Sequence, residues 1–152
     1  MTPQPLRAKI IADRTHWVRR MLAQLGALPV ETFDAFRSDS RNLAAAESYL
    51  RRALEALLDL GRHVLSKGFA RPVTEYSEIA PALVAAGLLN EQQGRLLRQM
   101  AGYRNRMVHF YHEISERELY DIVATQLEDV DQVLDAILDW LRNHPEMLDQ
   151  AL

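Results

Sequence analysis

Apolar residues recur along this chain at spacings of three, four and seven, and no stretch alternates apolar with polar as a half-buried strand would. The first stripe is Leu6, Ile10, Trp17, Met21 and Leu25, widened by Ile11, Val18 and Leu22. It predicts an amphipathic helix over 6–25 that Gly26 and Pro29 stop. Val30 to Phe36 reads as a short helix or turn, and Ser38-Asp39-Ser40 offers N-caps for the next helix. Leu43, Leu50, Ala53, Leu54, Leu57, Leu60, Val64 and Leu65 then hold helical period as far as Ser66, which makes this the central helix. Gly61 inside it costs about 1 kcal/mol relative to alanine and so points to a close helix crossing.

After a loop over 67–74, a short helix is predicted over 77–86, with Ser77 as its cap and Gly87 as its stop. Asn90 caps a helix running from Glu91 to about Tyr111. Ser115-Glu116-Arg117-Glu118 matches a capping box for one last helix through Leu119, Ile122, Val123, Leu127, Val130, Val133, Leu134, Ile137 and Leu141. His144-Pro145 ends it and leaves a tail over 145–152. The expected architecture is all-α, one domain over 1–152, a bundle of about four main helices plus short ones.

With 152 residues, 48% of them apolar, the chain fits one domain with a real core. It has no cysteine, so no disulfide or thiolate metal site is available. Residues 1–11 hold no apolar run of signal-peptide length and no stretch reaches the length of a membrane helix, so the expected location is cytoplasmic, without a membrane partner. Charge changes the picture more. The net charge is −3, yet Gln92 to His112 carries four arginines (Arg95, Arg98, Arg104, Arg106) and no acid, while Glu113 to Leu152 carries two basic and eleven acidic residues. A confined basic window suits a local anion site better than a broad grip on nucleic acid. Equally, it suits an arginine face salt-bridged to the acidic last helix.

Within that window, Arg104-Asn105-Arg106-Met107-Val108-His109-Phe110-Tyr111 gathers the side chains that ribonuclease chemistry uses. Arginine grips phosphate through paired hydrogen bonds, and histidine exchanges protons near neutrality. His109 and His112 with Glu113 and Glu116 hint at metal spacing, but no third imidazole joins them, and no metal is expected. Glu55, Asp59 and His63 lie at four-residue intervals on the central helix, where they either line a cleft or form a solvated ladder with Arg51 and Arg62.

Arg104, His109 and Tyr111 satisfy an R-x-x-x-x-H-x-Y pattern, with Asn105 in the polar slot after the arginine. Together with Ala53 to Leu65, Tyr76-Ser77-Glu78-Ile79 and Ala85 to Leu89, in that order, they make the chain resemble a HepT-type member of the HEPN superfamily. These are the toxin halves of HEPN/MNT toxin–antitoxin pairs, and the likeness spans roughly residues 40 to 125. One departure is Ser48, where related sequences often place an arginine after the glutamate equivalent to Glu47.

The resemblance implies an all-helical homodimer that cleaves RNA as an endoribonuclease, without metal or other cofactor. It implies neutralisation by an MNT-type nucleotidyltransferase antitoxin that transfers AMP to the motif tyrosine, here Tyr111. On this reading His109 is the general acid/base, Arg104 clamps the phosphate, Asn105 supports them, and AMP on Tyr111 places a bulky anion beside the arginine cluster. Helix geometry constrains the site: at about 100° per residue, Arg104 and Tyr111 share a face, whereas Arg104 and His109 stand about 140° apart. The site then needs a long arginine reaching round the helix, a helix distorted near Gly102, or residues from two protomers, and a cleft on a two-fold axis is the favoured expectation. The alternatives are a catalytically inactive HEPN domain that binds nucleotide or protein beside a nucleotidyltransferase, and a purely structural helical adaptor.

Overall fold

The computed structural model describes residues 2–152, and among these it is built of helices with a single isolated bridge between Leu6 and Leu148. The long helices are α1 (Ala8–Gly26), α3 (Ser40–His63), α5 (Glu91–His109) and α7 (Leu127–Arg142). Shorter ones are α2 (Phe33–Arg37), α4 (Ile79–Ala85) and α6 (Glu116–Thr125). The expected all-α bundle of four main helices is therefore present.

The central helix α3 is buried along most of one face, through Leu50, Ala53, Leu54, Leu57, Leu58 and Leu60, and packs against α1, α5 and α6. Each buried leucine of this kind contributes about 1.5–3 kcal/mol. Asp39 caps α3 by accepting from the Arg41 amide at 2.9 Å, and Thr32 caps α2 by accepting from the Ala35 amide at 3.0 Å. Gly61 marks the crossing its position suggested: a Cβ there would lie 2.8 Å from Ile79 Cγ2 and 3.1 Å from Leu83 Cδ1 on α4. Past His63 the helix widens into a π turn, Val64–Gly68.

Four boundaries differ from the expectation. Ser77 does not cap the fourth helix; Tyr76–Glu78 forms a 3-10 turn that runs straight into α4 without a side-chain cap. The helix bearing the motif stops at His109, because Phe110 leaves helical geometry at φ −135°, ψ 42°, and Tyr111–Glu113 forms a separate 3-10 turn. The last helix is two, broken at Gln126 (φ −118°, ψ 5°), whose side chain accepts from the Tyr103 hydroxyl at 3.3 Å. Neither glycine nor proline marks that break, and the apolar period continues across it, so the pattern could not reveal it. At Ser115 only half of the capping box forms: its hydroxyl accepts from the Glu118 amide at 3.1 Å, but the Glu118 carboxylate is drawn to Arg106 instead.

The tail is not loose either. Pro145–Met147 forms a 3-10 turn, the Leu6 amide donates to the Met147 carbonyl at 2.7 Å, and the Asp149 amide donates to the Leu6 carbonyl at 2.8 Å. Asp149 Oδ1 then accepts from the Ala8 amide at 2.9 Å, so the last residues cap the first helix.

Candidate functional site

Two features of α5 set the site's position. Its N-terminus is fixed by a complete capping box between Asn90 and Gln93, and Gly94 lets it lie hard against α4, since a Cβ there would sit 2.4 Å from Val84 Cγ2. Leu97, Met100, Ala101 and Met107 bury its inner face. Arg104, Asn105 and His109 in its last two turns are thereby turned to one side, toward the 3-10 turn at Tyr76.

There, Arg62, Thr74, Glu75, Tyr76, Arg104, Asn105, His109 and Phe110 line one cleft of about 430 Å³. Arg104 and His109 line this cleft together despite their 140° offset around the helix. Arg104 Nη1 donates to Asn105 Oδ1 at 3.2 Å, and Asn105 lies one turn from His109 on the same helix face. The helix runs unbroken through Gly102. Arg104, Asn105 and His109 are thus brought together within one chain.

The rest of the cleft orients the arginine. Arg104 Nε donates to Glu55 Oε1 at 3.3 Å, and its guanidinium carbon stands 4.6 Å from the centre of the Tyr76 ring. Arg62 stands at the same 4.6 Å from that ring. The Tyr76 hydroxyl donates to Asp59 Oδ1 at 2.8 Å. Burial above all, then the hydrogen bond to Asp59, pushes the Tyr76 hydroxyl up to about 12, so it remains a protonated donor across the physiological range. Arg62 Nη2 donates to the Thr74 carbonyl at 3.1 Å, while its Nε is buried with no hydrogen-bond partner among the described residues. A buried donor left unpaired costs about 1–3 kcal/mol, which the stack on Tyr76 offsets in part.

Two members of the acidic ladder, Glu55 and Asp59, stand behind the cleft lining without joining it. Glu55 pairs with Arg51 at 3.1 Å and Asp59 with Arg62 at 3.6 Å, as a ladder would, yet the same carboxylates hold Arg104 and Tyr76. His63 goes elsewhere: its Nε2 accepts from the Arg7 amide at 3.2 Å beneath α1. Burial, followed by the charges of Lys67, Arg7 and Arg14, lowers its pKa.

Tyr111 does not share the arginine cleft. With the helix ended at His109, it lines a separate recess of about 200 Å³ with Glu47, Met107, Ser115 and Glu116, and its side chain is 68% exposed. Within one chain Tyr111 and Arg104 therefore line different recesses. The neighbouring arginine, Arg106, is a brace: it grips both oxygens of Glu118 and reaches the Glu113 carbonyl at 3.4 Å, tying the turn that carries Tyr111 to α6. The face salt-bridged to the acidic last helix is limited to this pair, because among the described residues Arg95 and Arg98 form no ion pair. Sequence reasoning missed Arg62 and Tyr76 as site residues; the one signal for Tyr76 was its place in the short Tyr76–Ile79 stretch.

The Asn105 amide, the exposed His109 imidazole and Arg104, held on the Tyr76 ring, thus stand together near the end of α5 in an all-helical bundle. The chain belongs to the HepT-like ribonuclease family, whose model matches residues 18–137. No curated protein matches it. Among solved structures it resembles the tri-AMPylated HEPN toxin of Shewanella oneidensis in complex with its MNT antitoxin, with a TM-score of 0.76 and 23% identity over 86% of this chain and 97% of that one. A toxin–antitoxin structure with AMP-PNP gives a TM-score of 0.74 and 22% identity over 84% and 97%. YutE of Bacillus subtilis, a cytosolic protein of unknown function, gives 0.74 and 21% over 88% and 90%. At these identities the likeness establishes the fold. Among the described residues no helix is long and apolar enough to cross a membrane.

Proposed function

We propose that this chain is the toxin of a HEPN/MNT-type pair, an endoribonuclease that cleaves RNA without a metal cofactor. The observation that carries the reading is the gathering of Arg104, Asn105 and His109 in one cleft, with the guanidinium held by Glu55 and Tyr76. Cleavage of RNA through its own 2′-hydroxyl requires a base to take the hydroxyl proton. It also requires an acid to protonate the departing 5′-oxygen, and positive charge on the phosphorane-like transition state. His109 supplies proton transfer, worth about 100- to 10,000-fold, and Arg104 supplies the charge.

A single imidazole serves as base and acid in turn, whereas two facing copies serve both roles at once. Val108 and Phe110 flank His109 as exposed apolar residues, at 39% and 51%. Such a patch around a catalytic group supports a homodimer whose interface covers it and brings two His109 residues together. Tyr111 is accessible for AMPylation by the antitoxin. Its recess is walled by Glu47 and Glu116, whose charges repel an added phosphate from it.

The test is cleavage of bulk cellular RNA by the purified protein in excess chelator, beside Arg104→Ala and His109→Ala of confirmed fold. Intact-mass measurement establishes that Tyr111 is unmodified. Cutting that either substitution lowers by 100-fold or more supports the reading. Failure of the unmodified, folded protein to cut refutes it and leaves the nucleotide- or protein-binding module.

A further inference from the structure

The cleft contains a second arginine that the motif does not supply. Arg62 comes from the end of α3, and both its guanidinium carbon and that of Arg104 lie 4.6 Å from the centre of the Tyr76 ring. The two cations are therefore no more than about 9 Å apart, within the span that charge-assisted N–O contacts of about 2.8 Å allow when both grip RNA backbone phosphate. Two like charges at this range repel, so something must hold them there. Tyr76 does so by presenting its π-face to each guanidinium, and its hydroxyl is anchored on Asp59.

That anchoring leaves Arg62 under-used. The oxygen of Asp59 that accepts from Tyr76 is the one nearest Arg62, at 3.6 Å, too far for a hydrogen bond. The Thr74 carbonyl takes one donor, and the buried Nε has no partner among the described residues. Arg104, by contrast, has Glu55 and Asn105. The cleft thus combines two arginines with one lining carboxylate, Glu75, and the less satisfied arginine is the one outside the motif.

We propose that Arg62 is a second phosphate-binding arginine of this site, with Tyr76 the spacer that positions it against Arg104, so that the pair together grips the backbone of an RNA strand. The identity of the ligand rests on the ribonuclease reading; the two-arginine anion site rests on the geometry. Tyr76 is a positioning residue, since its hydroxyl is committed to Asp59.

The experiment uses the full chain and a fluorescent RNA oligonucleotide with every 2′-hydroxyl replaced by hydrogen, which binds but cannot be cut. Affinity is measured by anisotropy from low to moderate salt for the parent, Arg62→Gln, Arg62→Lys and Tyr76→Ala. Arg19→Gln, on the exposed Asp135 pair of α1, is the control. Each lost phosphate contact on a single strand lowers the slope of log K against log salt by about 0.7. The expected result is that Arg62→Gln loses about 0.7 of slope and about tenfold in affinity at low salt, Tyr76→Ala follows it, and Arg62→Lys keeps the slope. A purely structural role for Arg62 would lower the melting temperature and leave the slope alone, and that outcome overturns the inference. Should Arg62→Gln fail to fold, a slope equal to the parent's in folded Tyr76→Ala overturns it as well. Cleavage by the parent with no change of slope in the variants leaves the ribonuclease reading standing and removes this one. An Arg62-dependent slope in a protein that never cuts does the reverse.

Discussion

Two glycines on the motif helix should respond to alanine with opposite signs. Gly102 is exposed in the interior of α5, with nothing within 4 Å of where a Cβ would stand. Alanine there adds only helix propensity, about 0.5–1 kcal/mol, which for a chain of this size raises the melting temperature by about 1–4 °C. Gly94 gains the same propensity but forces a Cβ to 2.4 Å from Val84 Cγ2. Valine is stiff about χ1 and cannot swing clear cheaply, and overpacking of this kind costs about 1–3 kcal/mol, so the net change is a loss of about 1 kcal/mol. The assay is reversible urea unfolding of both variants beside the parent, with a third chain combining Gly94→Ala and Val84→Ala. Removing the two valine methyls should return part of the loss. Equal or greater stability for Gly94→Ala than for Gly102→Ala would show that the α4–α5 contact is not the tight one described, and with it the placement of the cleft would fail. Since a Cβ on Gly102 would meet nothing within 4 Å, any RNA cleavage by the parent should be kept within about twofold in Gly102→Ala.

Truncating Asp149 to alanine should cost about 1 kcal/mol, because the first helix loses the carboxylate that accepts from the Ala8 amide; thermal unfolding measures it, and an unchanged melting temperature refutes the cap. His63 gives a pH dependence. Its folded pKa lies below the unfolded value of about 6.5, so the unfolded chain binds the proton first; its stabilising contribution is complete above that value and is lost as pH falls through the window beneath it. His63→Gln, which can still accept from the Arg7 amide, should flatten stability across that window, as urea midpoints at several pH values would reveal. Arg106→Ala should cost about 1 kcal/mol of stability and speed proteolysis in the 110–115 segment, because the grip on Glu118 and the Glu113 carbonyl is lost; an unchanged cleavage pattern would count against the brace.

The helices were legible because each buries one stripe against its neighbours, and burial writes a 3.6-residue period into the sequence. The crossing at Gly61, the stop at Gly87 and the cap at Asn90 were legible for local reasons: a missing Cβ, a positive φ of 88° and a side-chain acceptor. What the pattern could not carry was anything fixed by a contact distant in sequence. The break at Gln126 answers to Tyr103, the capped N-terminus of α1 answers to Asp149, and the divided duties of Glu118 answer to Arg106. The site shows the same division. Arg104, Asn105 and His109 were legible as a run, but the angle between them depended on where the helix ends and where the arginine leans. Arg62 and Tyr76 enter from other segments entirely.

The carboxylates beside the arginines also bear on how a substrate could enter. Arg104 and Glu55 keep 21% and 26% of their side-chain surface, so water screens the pair and its net worth is about 1 kcal/mol or less. A fully buried pair would be far costlier to open, by about 3–5 kcal/mol when one partner is withdrawn. A phosphate arriving at the cleft therefore meets an arginine that is oriented but not locked. Glu55 and the Tyr76 ring hold the guanidinium in place at little side-chain entropy cost to the incoming ligand, and the weak Coulomb hold of Glu55 is readily exchanged for that of the phosphate. Neutralising Glu55 consequently has two opposed effects, removing a competitor and loosening the clamp. Placing a glutamine there separates them, since the amide still accepts from Nε but no longer competes in charge.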